Sequence, residues 1–233
     1  MPAGIVIVGL GPGDPQQITR EAWRVLGGAG EVYLRTSRHP AVAGLPEGPS
    51  YHSFDYFYER QATFDAVYDE IARTIVDLGA RPQGVVYAVP GHPLVGESSV
   101  LKVMATAKER ALRVRVVAGV SFIEPTLTAL GIDAVDGLQI CDATVVANRH
   151  HPNLDPDVGA LVVQVYSRLV AAGVKITLMN LYHDDQPVTV IRHAGLSDQG
   201  VREMPLYQLD RLADLDHLTS LYIPPLARRG SLA

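Results

Sequence analysis

Three short segments carry the residue types and spacings best suited to chemistry. Gly9-Leu10-Gly11-Pro12-Gly13-Asp14 follows an opening apolar run of strand type, Ile5 to Val8. Glycines at 9, 11 and 13 let the chain turn tightly and let a ligand or a neighbouring strand approach main chain, because no Cβ stands in the way. A dinucleotide fingerprint fits poorly. It would want glycine where Asp14 stands, no proline in the turn, and an acidic residue at the end of the next strand, where Val32-Tyr33-Leu34 runs into Arg35-Thr36. An ordinary strand-to-helix turn is the alternative. A second loop of the same kind, Pro90-Gly91-His92-Pro93-Leu94-Val95, follows the apolar run Val85 to Val89, and a third, Ala118-Gly119-Val120-Ser121-Phe122, follows Val114 to Val117. Small or proline-rich loops at three strand ends point to a ligand cleft at the carboxyl edge of a parallel sheet.

Other candidates are more dispersed. Asp14 sits where its side chain can accept hydrogen bonds from the amides of the turn and of the segment behind it. Arg35 and Arg38, just past the second strand, and Arg168, after Tyr166, present guanidinium forks suited to carboxylates on an acidic substrate. The eight histidines have the wrong spacing for a metal site. His150-His151 are adjacent and point different ways, and neither His183-Asp184-Asp185 nor Asp216-His217 has a second ligand at a helical or hairpin interval. No G-x-S-x-G nucleophile turn occurs, and no Walker loop or pair of E-x-x-E clusters suggests triphosphate hydrolysis. Cys141, the single cysteine, excludes an internal disulfide and reads as a small buried hydrophobe.

The elements that must hold these groups alternate between strand and helix. Thr19 is placed to cap a helix over Arg20 to Leu26, with Gly27-Gly28 ending it. Phe64, Val67, Tyr68, Ile71, Ile75 and Leu78 form one apolar stripe behind Thr63. A helix is expected from Glu97 to about Leu112, and the segment Ala41 to Ser53, with Pro46, Gly48 and Pro49, reads as a loop. The second half offers strand material at Leu161 to Val165, Pro187 to Arg192 and Thr219 to Ile223, with a helix around Leu169 to Leu181. At 233 residues and 47% apolar content the chain can bury one large core or two modest ones. No apolar run reaches membrane-spanning length, no signal peptide is visible, and a reducing, cytoplasmic setting is expected. The net charge of −5 with scattered basic residues argues against nucleic acid as a partner.

The three loops together resemble the tetrapyrrole methylase family of S-adenosylmethionine-dependent methyltransferases, which includes uroporphyrinogen and precorrin methylases and diphthine synthase. Its G-x-G-P-G-D signature is met by Gly9 to Asp14, its G-D-P loop by Gly91-His92-Pro93, and its third turn by Gly119-Val120-Ser121-Phe122. The likeness runs the whole length. It is nearest to the methylase half of bacterial fusions with a MazG-type nucleotide pyrophosphohydrolase, on Tyr87 to Val95, Gln164 to Arg168 and Asp216 to Pro225. In such fusions the second domain begins shortly after the Pro-Pro-Leu found here at 224–226, so a chain ending at Ala233 is expected to be either shortened or a stand-alone relative.

The resemblance implies an α/β fold of two αβα domains of class III methyltransferase type, 1–118 and 119–233, with the cofactor cleft between them. It implies S-adenosylmethionine as cofactor, a small acidic acceptor such as a tetrapyrrole, and a homodimer. Carried over position by position, it assigns cofactor contacts to Pro12, Pro90, Gly91, His92, Val95, Ser121 and Phe122 in the first half. In the second half it assigns them to Val165, Tyr166, Arg192, Ala194 and Ser220, with His193 and Thr219 in the same stretches. Asp14 would be the general base, in competition with its turn role, and Arg35, Arg38 and Arg168 would bind the acceptor. His92 departs from the family's more common aspartate, which leaves main chain or imidazole to meet the cofactor there. The competing expectation is a non-catalytic module that binds S-adenosylmethionine or a nucleotide and regulates a pyrophosphohydrolase. Methylation of ribosomal RNA, found in one branch of the superfamily, is disfavoured by the scattered basic charge.

Overall fold

A computed structural model describes residues 4–226, so the outer ends of the two expected domains, 1–3 and 227–233, lie outside the described residues. The chain divides into two compact units, Met1–Glu124 and Pro125–Ala233.

The first unit runs β1 (Ile5–Gly9), α1 (Arg20–Gly27), β2 (Glu31–Leu34), β3 (Ser50–Ser53), α2 (Asp55–Arg60), α3 (Phe64–Gly79), β4 (Val85–Val89), α4 (Ser98–Glu109) and β5 (Val114–Val117). Its five strands lie in the order β3-β2-β4-β1-β5, all parallel. Strands covered on both faces read as continuous apolar runs, and β1 and β4 show why. Ile5, Ile7, Val85, Tyr87 and Val89 pack with Val67, Ile71 and Ile75 of α3 and Val100 and Val103 of α4. Val8 and Ala88 point the other way, onto Ala22 and Leu26 of α1. Each aliphatic side chain taken fully from water in this way contributes about 1.5–3 kcal/mol.

The caps behave as expected. Thr19 and Thr63 accept hydrogen bonds from Ala22 N (3.2 Å) and Ala66 N (3.3 Å) at the starts of α1 and α3. Along α3, Val67, Ile71 and Ile75 are buried, whereas Phe64 in the first turn is 67% exposed and instead meets Tyr58 and Tyr68.

The segment expected as a loop, 41–53, is partly regular: a 3-10 turn spans Pro40–Gly44, and Ser50–Ser53 is β3. β3 is a short edge strand without a buried residue, held by its backbone ladder to β2, so it lacks the apolar signal by which strands are read. The helix expected over 97–112 is α4, shorter at both ends, with Glu97 as its cap.

α5 (Ile123–Leu130) leads into the second unit, which continues with β6 (Leu138–Asp142), α6 (Ala143–Ala147), β7 (Gly159–Val163), α7 (Arg168–Leu178), β8 (Pro187–Arg192), β9 (Gly200–Pro205) and β10 (Thr219–Ile223). The strand order is β6-β7-β10-β8-β9, with β6 and β7 parallel and the other pairs antiparallel. α6 and α7 bury Val146, Ala171, Val174 and Leu178 against Val162, Val188, Val190 and Leu221 of this sheet. β9 gives no strand signal because only Met204 among its residues is buried. Cys141 is partly buried against this core, which raises its thiol to about 11, consistent with an inert side chain.

Candidate functional site

In the first unit, β4, β1 and β5 are neighbours, so their three carboxyl-end loops meet at one sheet edge. They meet through backbone. Gly91 N donates to Gly11 O at 2.8 Å, Gly11 N to Gly91 O at 3.3 Å, and Leu10 N to Val89 O at 2.9 Å. A Cβ on Gly9 would stand 2.5 Å from Gly91 O and 2.7 Å from Gly119 N, and a Cβ on Gly119 would stand 2.3 Å from Gly91 O. Glycine at 9 and 119 is therefore a packing requirement. Thr19, besides capping α1, donates to Ala118 O at 3.1 Å and ties the third loop to the helix behind the first.

Gly91 differs from the other two. Its φ is +63°, where glycine is favoured, and no atom lies within 4 Å of the Cβ it lacks. The main chain of the second loop is therefore open to a ligand where a side chain would otherwise project. Pro12, within the first loop, is buried, while Pro90, His92 and Val95 of the second loop are partly buried. His92 Nδ1 accepts from Leu94 N at 3.1 Å, which shapes the loop by a side chain bonding its own backbone two residues on. Ser121 is buried and its hydroxyl donates to Glu124 at 2.6 Å, with Phe122 partly buried beside it.

Asp14 is partly buried. Its Oδ1 accepts from Gln16 N at 2.8 Å, capping the 3-10 turn Pro15–Gln17, which is the turn role anticipated for it.

The arginines fare differently from one another. Arg35 Nε lies 2.9 Å from Glu97 Oε2, an ion pair whose N–H is not aligned for a hydrogen bond, and Arg35 also donates to Tyr58 OH at 3.0 Å. Burial acts to lower the Arg35 pKa, but the Glu97 carboxylate beside it, with Tyr58 and Tyr87 near, raises it on balance. Burial pushes Glu97 upward, opposed by Arg35 and by the Ser99 hydroxyl, which donates to it at 2.7 Å. Ser99 also shares a 2.6 Å hydrogen bond with the fully buried Tyr87 hydroxyl. Arg35 is thus committed to a structural network that anchors the start of α4 and the loop before it. No local signal announces this pairing: a glutamate is almost never buried unless paired, but both the burial of Glu97 and its partner in another element appear only in the fold. Arg38 is exposed, with Glu59 3.6 Å away. Arg168 is also exposed, and its Nε donates to Asp210 O at 3.1 Å.

In the second unit the ends of β7 and β8 meet the start of β10. Val165 N donates to Thr219 O at 3.0 Å, His193 N donates to Leu218 O at 3.1 Å, and Thr219 and Ser220 pair with Arg192 and Ile191. Val165, Thr219 and Ser220 are buried, Tyr166 is 42% exposed, and Arg192 and Ala194 are partly buried. Val165, Arg192 and Ser220 are therefore near neighbours within the second unit through Thr219. Arg192 pairs with Asp214 at 2.6 Å and Asp216 at 3.6 Å, while its buried Nε has no hydrogen-bond partner among the described residues. His193, next in sequence, adopts φ +51° and bridges Asp198 and Asp216, a cluster invisible to sequence spacing. Among the described residues no group of three or more His, Cys, Asp or Glu is placed to hold a metal ion, and no helix is long and apolar enough to cross a membrane.

Residues 4–210 match the family described as Tetrapyrrole (Corrin/Porphyrin) Methylases. The chain belongs to this family. It is similar to the uncharacterized protein YabN of Bacillus subtilis (strain 168), 39% identical over 232 residues, covering 97% of this chain and 46% of YabN. The chain thus spans less than half the length of that relative. Among solved structures it resembles the uroporphyrin-III-C-methyltransferase of Thermus thermophilus, with a TM-score of 0.73 at 21% identity, covering 96% of this chain and 93% of that one. A second structure of the T. thermophilus enzyme, complexed with S-adenosyl homocysteine, matches with a TM-score of 0.68 at 20% identity over 95% of this chain and 97% of that one. The tetrapyrrole methylase chain thus has the α/β fold of class III methyltransferases, a fold it shares with methyltransferases of known structure.

Proposed function

We propose that this tetrapyrrole methylase chain binds S-adenosylmethionine and transfers its methyl group to a small acidic acceptor, with a tetrapyrrole the first class to test. The observation that supports this most is the convergence of Gly9, Gly91 and Gly119, which leaves the main chain at Gly91 open at the carboxyl edge of a parallel sheet. Backbone groups and partly buried side chains at Pro90, His92 and Val95 suit a ligand that offers both polar and apolar surface. In this reading Pro12, Ser121 and Phe122, on the loops beside Gly91, are further cofactor contacts, and Val165, Tyr166, Arg192, Ala194 and Ser220 are the contacts proposed within the second unit.

When bound, S-adenosylmethionine supplies a methyl group already activated by its sulfonium. The protein's part is then to hold the acceptor's nucleophilic atom in line at short range and to take the proton that atom sheds. Asp14, at the mouth of the first loop, is the base in this reading. Arg38, with its side chain 72% exposed, can reach an acceptor carboxylate, and Arg168 is the corresponding group in the second unit. Arg35 acts through Glu97 on the second loop, so we assign it to site architecture and not to the acceptor.

Calorimetric titration of the purified chain with S-adenosylmethionine and S-adenosylhomocysteine, followed by a labelled-methyl screen against porphyrinogens, tests the reading. Saturable heat with either ligand supports the cofactor site. No heat and no thermal shift at millimolar concentration overturns it.

One observation favours a second reading. A relative more than twice as long as the matched region carries further sequence of its own. The chain could serve such a protein as a ligand-binding regulatory module, with a MazG-type pyrophosphohydrolase as partner. Ligand binding without methyl transfer to any acceptor, together with ligand-dependent triphosphate hydrolysis in the longer protein, would favour it. Homodimerisation belongs to either reading and is tested by sedimentation.

A further inference from the structure

Two turns of the second unit are fastened to each other by one histidine. His193 follows β8, and its ring reaches Asp198 in the turn before β9 (Nδ1 to Oδ2, 2.6 Å) and Asp216 in the turn before β10 (Nε2 to Oδ2, 2.7 Å). The backbone around it is equally committed. His193 N donates to Leu218 O at 3.1 Å, Leu196 N to His193 O at 2.9 Å, Leu218 N to Asp216 Oδ1 at 2.9 Å and Asp216 N to Thr219 Oγ1 at 3.1 Å. His193 also holds φ +51°, a left-handed conformation that a non-glycine residue keeps only when its surroundings impose it.

We propose that His193 is a positioning residue: its imidazolium, donating to both carboxylates, clasps the 193–199 turn to the 214–218 turn and so sets the backbone at Arg192–Ala194 and Thr219–Ser220 for the ligand. The proposal rests on the reading of these two stretches as cofactor contacts. Both short bonds need N–H on both ring nitrogens, which only the protonated ring has; a neutral ring turns a lone pair toward one carboxylate. The charged groups facing the ring are Asp198 and Asp216, with Arg192 sharing Asp216 and Asp214 pairing with Arg192. Burial acts to lower the His193 pKa, but its hydrogen bonds to the Asp216 and Asp198 carboxylates outweigh that and raise it, while Asp216 is lowered despite its own burial by bonds from His193 and Leu218. The clasp is therefore closed in acid and opens as pH rises through the His193 value.

The test is calorimetric titration of the full chain with S-adenosylhomocysteine from about pH 6 to about pH 9, on wild type, His193→Gln and Asp198→Asn, with amide hydrogen exchange on the same proteins. Asp198 is largely exposed, so its variant should fold even if the histidine variant does not. The wild type should lose about tenfold in affinity across the titration of His193, with both variants near the weak limit at every pH. Amides 194–199 should lose protection in step. Binding that ignores pH and both substitutions, with unchanged exchange, overturns the clasp alone. Absence of any binding in the wild type overturns the cofactor reading and the positioning role with it.

Discussion

Arg35 could hold the site together or bind the acceptor, and a double-mutant cycle with Glu97 separates the two quantitatively. Glu97→Gln keeps the side chain's shape but leaves the Arg35 guanidinium, with only 21% of its side chain exposed, without a counter-charge. Arg35→Met strands a carboxylate that is 6% exposed. Removing one member of a buried pair costs about 3–5 kcal/mol. The partial access of Arg35 to water, and the two donors Ser99 supplies to Glu97, reduce this to about 2–3 kcal/mol per substitution. The double variant leaves no charge stranded and should lose only about 1–2 kcal/mol, a coupling of about 3 kcal/mol. At about 2–4 °C per kcal/mol for a chain of this size, each single variant should melt about 5–10 °C below the wild type. Urea unfolding followed by circular dichroism on the four proteins gives the cycle. Burial raises the folded-state pKa of Glu97 above its ordinary value, so the folded form holds the proton longer and stability falls as pH rises between the two values. Arg35→Met should widen that window. Strictly additive losses in the double variant would refute the pairing, and an Arg35→Met protein as stable as the wild type but with an altered acceptor KM would return Arg35 to the substrate.

Asp14→Asn keeps an acceptor for Gln16 N, so the melting temperature and cofactor affinity should hold while methyl transfer falls about a hundredfold if Asp14 is the base; equal activity per folded molecule in a single-turnover assay would rule that role out. Gly119→Ala should cost about 2–3 kcal/mol, because its Cβ meets the backbone of Gly91 and Gly9, as read by thermal melting. Gly91→Val finds open space but must hold φ +63°, so it should cost about 1–2 kcal/mol of strain and abolish ligand binding in calorimetry while the protein stays folded. Asp55 accepts hydrogen bonds from the hydroxyls of Ser37, Thr36 and Ser53 and from Ser37 N, which hold its carboxyl well below the usual range despite its burial. Its contribution is complete above the ordinary carboxylate pKa and is lost as pH falls toward its folded value, so Asp55→Asn should flatten the acid limb of a stability–pH profile; an unchanged limb would exclude it.

Local signals in this chain agree with the fold where one stretch of sequence carries the whole physical reason. Apolar runs over β1, β4, β7, β8 and β10 mark strands buried on both faces or in a sheet centre, threonine at 19 and 63 marks a helix start, and the spacing of Val67, Ile71 and Ile75 marks the covered face of α3. The three glycine-bearing loops could be placed at strand ends because strand and turn adjoin in sequence. Elements held mainly by backbone pairing, such as β3 and β9, leave no such trace, since a ladder hydrogen bond uses no side chain. Only the folded chain brings Gly9, Gly91 and Gly119 to within a Cβ of one another, which turns three flexible positions into a packing constraint. Only the folded chain pairs Arg35 with Glu97 and sets His193 between Asp198 and Asp216. These are interactions between elements, whose energies depend on distance and desolvation, and neither quantity is written in the spacing of residues along the chain.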